Sequence, residues 1–491
     1  MRYSSTIIFS LSLLHSSSAF VGRKHYYSTI SSRKQGGSGH ARRISSSSSS
    51  SSLFVLQSTN DASHFDSLLD QVKLREAVTY LQQHPDTLLT KDRWNKIFTA
   101  IEERTRNAEE NTENLRADFP LESAARNEMT AMYQTLRDQN HLQLYGAVST
   151  MTAGSHSIPP PVMEEILGLP MQALTPQATN TIWIAGVLTA TVEALASLAS
   201  GIDFNALVLL TLLGAVLDRI LLNGAIFETY LKLFSPGVQQ KILKHEANHL
   251  FAAYLLGCPV EGIVLSAWAA LQDRRFESRQ VTAGTSFFDP ELSKAINSGG
   301  QRLTRALIDR YSIIVMAGIA AEADQFGRAD GGAGDEMALV AFLSRLNGNQ
   351  RGTTTWDAAA IKNQARWGAL QATLMMREYK PAYDALVDAL EAGGQLGDCI
   401  YAIEKAARDH NLKPMQRPVG YLLEESDGQV KWDPDWRPEP KKEKPILVQQ
   451  QTAPSQSVEE SLEVLKEYRV SAEKRLQEIE QQLEDLTDKR S

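Results

Sequence analysis

The sequence predicts a mainly α-helical protein with a small β-sheet, and three observations lead there. Apolar residues recur at helical spacing through residues 66–145. Two long apolar runs, Ile182–Ser200 and Ala206–Phe227, are joined by only five residues, Gly201–Asn205. Ser235-Pro236 then opens a further helix, with Ser at the N-cap and Pro at the first helical position, and Gly257 closes it. Two short extended segments after that helix, Val260–Leu265 and Val281–Phe287, supply the sheet.

The N-terminal third, residues 61–175, is read as a helical region. Leu68, Leu69, Val72 and Leu74 lead into Val78 and Leu81, and a break follows at His84-Pro85. Trp94, Ile97, Phe98 and Ile101 continue the helical spacing, with Asp92 as the expected cap. Residues 102–118 are charged and solvated, and Pro159-Pro160-Pro161 forms a joint. No recognisable chemistry lies here; the expected role is scaffold or partner docking.

The runs within 181–227 are each close to the ~20 apolar residues that cross a bilayer. A transmembrane hairpin is the expectation, with a buried hairpin in a soluble core as the alternative. Glu193, Asp218 and Arg219 are costly in lipid unless paired or turned toward protein. If the hairpin spans, both its ends lie on one side, marked by Lys232, Lys241 and Lys244. Residues 416–454 are rich in Pro and charge and read as a linker. In 455–491, Val458, Leu462, Leu465, Arg469, Ala472, Leu476, Ile479, Leu483 and Leu486 hold a 3-4 spacing. That predicts a coiled coil and self-association through it, with a lone amphipathic helix as the alternative.

Charge is unevenly spread over the 491 residues, whose formal net charge is −8. Residues 1–60 hold seven Lys/Arg and no acid, leaving 43 basic against 58 acidic residues in the rest. So acidic a body excludes nucleic acid as the main partner. The two cysteines, Cys258 and Cys399, are too far apart for a CxxC and too few for a disulfide framework. Residues 1–20 read as a signal peptide, with the apolar run 7–14 ahead of Ser17-Ser18-Ala19-Phe20. Residues 21–60 are Ser-rich and basic, as in a transit peptide. Joined at the Ala19-Phe20 step, they resemble the two-part presequence of algae with complex plastids. That resemblance implies delivery to the plastid. Plain secretion with a Ser-rich stalk is the alternative, and the scarcity of cysteine fits it poorly.

His245-Glu246-Ala247-Asn248-His249 has the HExxH pattern. On a helix, histidines at i and i+4 share a face and can meet one Zn²⁺. Glu246 is then placed to take a proton from water. Two core histidines on an apolar stripe with Val238 and Ile242 are the structural alternative. A third histidine ten residues on would complete another known pattern, but that position is Leu255, and His410 is the only histidine after His249. The third ligand is therefore expected to be a carboxylate. Glu322, in Ala317-Gly318-Ile319-Ala320-Ala321-Glu322, and Asp335, in Gly331-Gly332-Ala333-Gly334-Asp335-Glu336, are the candidates.

In that order, HEANH, AGIAAEA and GGAGDE resemble the HEAGH, AGRAAEE and Asp-ending Gly-Ala turn of FtsH-type zinc metallopeptidases. The likeness spans roughly residues 160–410 and is greatest to the ATPase-less, FtsH-like proteins of plant and algal plastids. It implies a helical peptidase domain over 231–415, with His245, His249 and Asp335 as zinc ligands and Glu246 as general base. Glu322 would be a structural or supporting acid. The chain departs from the pattern at Asn248, where the family has Gly. The Asp turn is also shifted by one residue, which leaves Glu336 as an alternative ligand. No GxxxxGK[ST] occurs, so ATP use is not expected.

The resemblance implies an ATP-independent zinc metalloendopeptidase acting on unfolded or flexible membrane proteins. Its expected place is the thylakoid or another inner plastid membrane, with the peptidase domain in the stroma. The rival expectation is a non-catalytic assembly or stability factor of the plastid membrane that keeps the fold.

Overall fold

The computed structural model describes residues 63–106, 122–148, 158–176, 181–222, 224–234, 236–277, 283–297, 303–349, 355–415, 420–423 and 430–432. All of these belong to one unit, Asn60–Ser491. The predicted presequence, the predicted coiled coil, the Ser235 cap and most of the charged segment 102–118 lie outside the described residues.

Four helices begin the described chain: α1 (63–70), α2 (Leu74–Gln83), α3 (Lys91–Arg106) and α4 (Ala124–Asp138). Their predicted apolar positions Leu74, Val78, Leu81, Trp94, Ile97, Phe98 and Ile101 are buried. The cap of α3 differs from expectation. The Thr90 hydroxyl accepts the Arg93 N–H at 3.4 Å, and Asp92 falls inside the first turn. Helix α5 (Pro160–Leu167) starts in the Pro-rich joint, where a ring-locked φ suits a first helical position.

Helices α6 (Thr181–Ser200) and α7 (Phe204–Leu221) form the apolar hairpin, and α8 (Ala225–Phe234) follows. The second apolar run thus breaks at 222–224 and does not continue to Phe227. Asp218 makes the break: its carboxylate accepts the N–H groups of Ile226 and Phe227 at 3.1 and 2.9 Å and so caps α8. The acid that seemed misplaced in an apolar run is buried and fully engaged. Among the described helices, α7 is the one long and apolar enough to cross a membrane. Leu209, Leu210, Leu212, Leu213, Val216 and Leu217 on it are exposed.

The remaining elements are α9 (Pro236–Leu255), β1 (Val260–Val264), α10 (Ala267–Gln272), α11 (Arg274–Glu277), β2 (Gly284–Phe287), α12 (Pro290–Asn297), α13 (Arg305–Phe326), α14 (Ala333–Asn349), α15 (Ala358–Glu378), α16 (Lys380–Glu391), α17 (Leu396–Asp409), β3 (Tyr421–Leu423) and β4 (Val430–Trp432). Gly257, at φ +75°, ends α9 with a backbone turn that costs other residues a Cβ clash. β1 and β2 pair antiparallel, with Ile263 opposite Thr285 and an irregularity between Val260 and Gly262. β3 and β4 form a second antiparallel pair inside the segment read as a linker.

At the centre lies α13, buried from Leu307 to Ala323 except where it turns outward at Arg310. It packs between α9 and α15, and its approach to α15 is close: a Cβ on Gly368 would stand 2.7 Å from the Ser312 carbonyl oxygen. The N-terminal helices are part of the same core as α9–α17. Trp94 Nε1 donates to the Gly397 carbonyl, and the Tyr133 hydroxyl to that of Val260, both at 3.0 Å. The carboxylate of Glu404 on α17 accepts the N–H groups of Gln143 and Leu144 and the hydroxyl of Tyr254 at the end of α9.

The tightest link is ionic. Arg126 Nε on α4 donates to the fully buried Glu261 carboxylate of β1 at 2.6 Å, and the Ser286 hydroxyl donates to its other oxygen at 2.7 Å. Removing one partner strands a buried charge. Arg126→Met is expected to cost about 3–5 kcal/mol in denaturant unfolding. Adding Glu261→Leu to it should return most of that loss.

Candidate metal centre

His245, Glu246 and His249 fall on α9, which begins with Pro236 and packs along α13. Helical geometry alone puts the two imidazoles on one face. What turns that face toward α13 is the lack of a side chain at Gly318. A Cβ there would come within 2.2–2.4 Å of the His245 ring, so the ring lies directly on the backbone of α13.

Both Nδ1 atoms are held by α13. His249 Nδ1 is 2.7 Å from the Ile314 carbonyl oxygen, which can only accept, so Nδ1 carries the proton. His245 Nδ1 is 2.7 Å from Glu322 Oε1. The other oxygen of Glu322 accepts the Asp330 and Gly331 N–H groups at 2.7 and 2.9 Å. Each Nε2 is thereby left to face inward. The two Nε2 atoms are 3.1 Å apart, and Asp335 Oδ2 lies 3.0 and 3.4 Å from them. Metal bonds of ~2.0–2.1 Å in a tetrahedral site put neighbouring ligand atoms ~3.3 Å apart, close to these edges.

Three unshared pairs directed at one point repel each other unless a cation or protons lie among them. Asp335 reaches that point from the first turn of α14. The turn before it is tied back twice: through the backbone of 330–331 to Glu322, and through an ion pair between Asp330 and Lys241 of α9. Of the acids weighed from the sequence, Asp335 joins the two histidines, with ligand atoms within 4.8 Å of one another. Glu322 sits on the outer nitrogen of His245, and Glu336 is outside the group. His245, His249 and Asp335 can hold a metal ion; the geometry does not specify which.

Glu246 is buried next to this group, and its Oε2 accepts a hydrogen bond from the Thr285 hydroxyl of β2 at 3.0 Å. Burial raises its pKa, against the pull of His249 and His245. Burial opposes a charge on His245, yet Asp335 and Glu322 outweigh it and hold the ring well above its ordinary value. His249 is raised in the same way by Asp335. Burial likewise works against ionised Asp335 and Glu322, and the histidines beside them bring both below the usual carboxylate range.

Asn248 takes a place that bulk alone would make awkward. It is buried, and its Nδ2 donates to the Ala317 carbonyl at 2.8 Å, so it fastens α9 to α13. Sequence reading did not anticipate this bond, the Thr285 contact or the Lys241–Asp330 tie. Each joins segments tens of residues apart and leaves no local pattern. Comparison with family models, curated proteins and solved structures found no match.

His245→Ala and Asp335→Asn should each abolish metal binding measured by chelator competition. Glu322→Gln should weaken it by on the order of 10–100-fold, and Glu336→Gln should leave it unchanged. The pKa shifts set a second expectation, for metal-free protein. Stability from the raised histidines is complete below the unfolded value of ~6.5 and is lost as pH rises through their folded values. That from the lowered carboxylates is present above ~4 and lost on acidification. Calorimetry of chelated protein should therefore show Tm highest between these limits and falling past neutrality, with added metal raising Tm most at alkaline pH.

Proposed function

We propose that this chain is an ATP-independent zinc metalloendopeptidase, related to FtsH-type peptidases, that cuts unfolded or flexible polypeptides at a plastid membrane. The observation that carries the proposal is the convergence of His245 Nε2, His249 Nε2 and Asp335 Oδ2 with Glu246 beside them. A donor set of two imidazoles and one carboxylate suits Zn²⁺ and leaves a fourth position open. Bound there, zinc supplies Lewis-acid polarisation of a scissile carbonyl and makes water more acidic.

The chain's own residues do the rest. Glu246 accepts the proton of the attacking water and returns it to the leaving amine, and its burial-raised pKa suits that exchange. The Thr285 hydroxyl holds one carboxylate oxygen and leaves the other for the proton. β2 has β1 on one side and no strand on its other edge among the described residues. Thr285 on the same strand reaches Glu246, and the unpaired edge suits an extended peptide, paired as an added strand. Compact substrates stay intact, because the sequence carries no phosphate-binding loop to drive unfolding. The plastid location rests on the presequence, and the membrane location on the exposed apolar face of α7.

Glu246→Gln keeps the shape of the side chain and cannot take the proton. It should lower cleavage of unfolded casein by on the order of 10²–10⁴-fold with metal content unchanged, and ATP should have no effect on the wild type. If both proteins are equally inert yet both rescue a cell lacking the chain, the site is architectural and a non-catalytic assembly factor replaces the enzyme.

A further inference from the structure

Helix α8 reverses the usual arrangement of a surface helix. Its only charged residues, Glu228 and Lys232, turn inward. The Glu228 carboxylate accepts the Ala267 N–H at 2.7 Å and pairs with Lys232, while Lys232 Nζ donates to the Leu265 carbonyl at 3.3 Å. What remains on the outside is mainly apolar: Ile226 is 55% exposed and Phe227 42%, with the exposed Thr229 beside them. A helix facing water does the opposite.

This apolar surface does not stop at α8. Ile226 and Thr229, three residues apart, share a helix face. The Trp268 indole N–H of α10 donates to the Thr229 hydroxyl at 3.1 Å. With its one polar atom satisfied by Thr229, the Trp268 ring is still 45% exposed. On the other side, Ile220 and Leu221 at the end of α7 carry the exposed apolar surface directly into α8. Tyr230 of α8 also meets Thr189 of α6 through their hydroxyls at 3.1 Å, so α8 is packed beside the hairpin.

We propose that α8 and Trp268 form a second membrane-contact element, a shelf that lies in the interfacial zone of the lipid beside the base of the hairpin. Continuity with the hairpin identifies lipid as what covers it, and the proposal rests on the hairpin being inserted. An apolar surface edged by Tyr and Trp is what the boundary between acyl chains and headgroups favours. The shelf also has a consequence for the metal centre. α8 leads into α9 one residue later, and His245 stands nine residues along from Pro236, or ~14 Å at helical rise. The shelf would hold the site close to the membrane surface and at a set height.

The test uses the full chain in phosphatidylcholine vesicles brominated either just below the headgroup or near the acyl methyl end. The difference between wild type and Trp268→Phe isolates the fluorescence of this tryptophan. Shallow bromine should remove most of that signal and deep bromine little of it. Bimane on Trp268→Cys gives an independent depth, because Cys258 and Cys399 are buried and escape labelling. If the protein resists an alkaline carbonate wash but neither probe is quenched, the shelf is overturned and the hairpin stands. Should Trp268→Cys then cross-link to itself, a second copy covers this face. Release by carbonate overturns the hairpin and the shelf together.

Discussion

Everything at the candidate metal site depends on how closely α9 lies on α13. The His245 ring occupies the space that a side chain at Gly318 would fill, and both outer imidazole nitrogens find their acceptors on α13, at Glu322 and the Ile314 carbonyl. Those two bonds set the tautomers, and the tautomers set where the unshared pairs point. Asn248 secures the same contact from the other side of the turn through the Ala317 carbonyl. A longer residue at 318 would push the helices apart and lose all of these contacts at once.

The third donor depends on that template too. Glu322 has two tasks: one oxygen orients His245 and the other receives two backbone N–H groups of the turn that delivers Asp335. Lys241, one helical turn before His245, holds the same turn through Asp330. The helix carrying the histidines, the helix they lie on and the turn carrying Asp335 are therefore coupled. The N-terminal helices brace the opposite side through Arg126, Glu261 and Ser286, so the strand that carries Thr285 is fixed against Glu246.

The apolar hairpin follows a different physical logic. Asp218 is satisfied by the protein, capping α8, and the large apolar residues are left outside. In water that arrangement leaves apolar surface with nothing to bury against. The same arrangement continues through α8, where Glu228 and Lys232 face inward, up to Trp268.

The sequence by itself determined much of this. Helical spacing identified the buried positions of α2 and α3, the extended segments marked β1 and β2, and the i, i+4 histidines with Glu246 between them were readable because local periodicity encodes which residues share a face. The β3–β4 pair was hidden by the charge and proline around it. The sequence left Asp335, Glu336 and Glu322 as rival acids, since spacing along a chain does not say which carboxylate a distant helix will meet. Only the tertiary structure placed Asp335 on the inner nitrogens and Glu322 on the outer one. It alone brought Thr285 to Glu246 and turned Asp218 into the cap of the next helix. Those pairings form where separate elements pack, and the energy that selects them is shared between segments that carry no mark of each other.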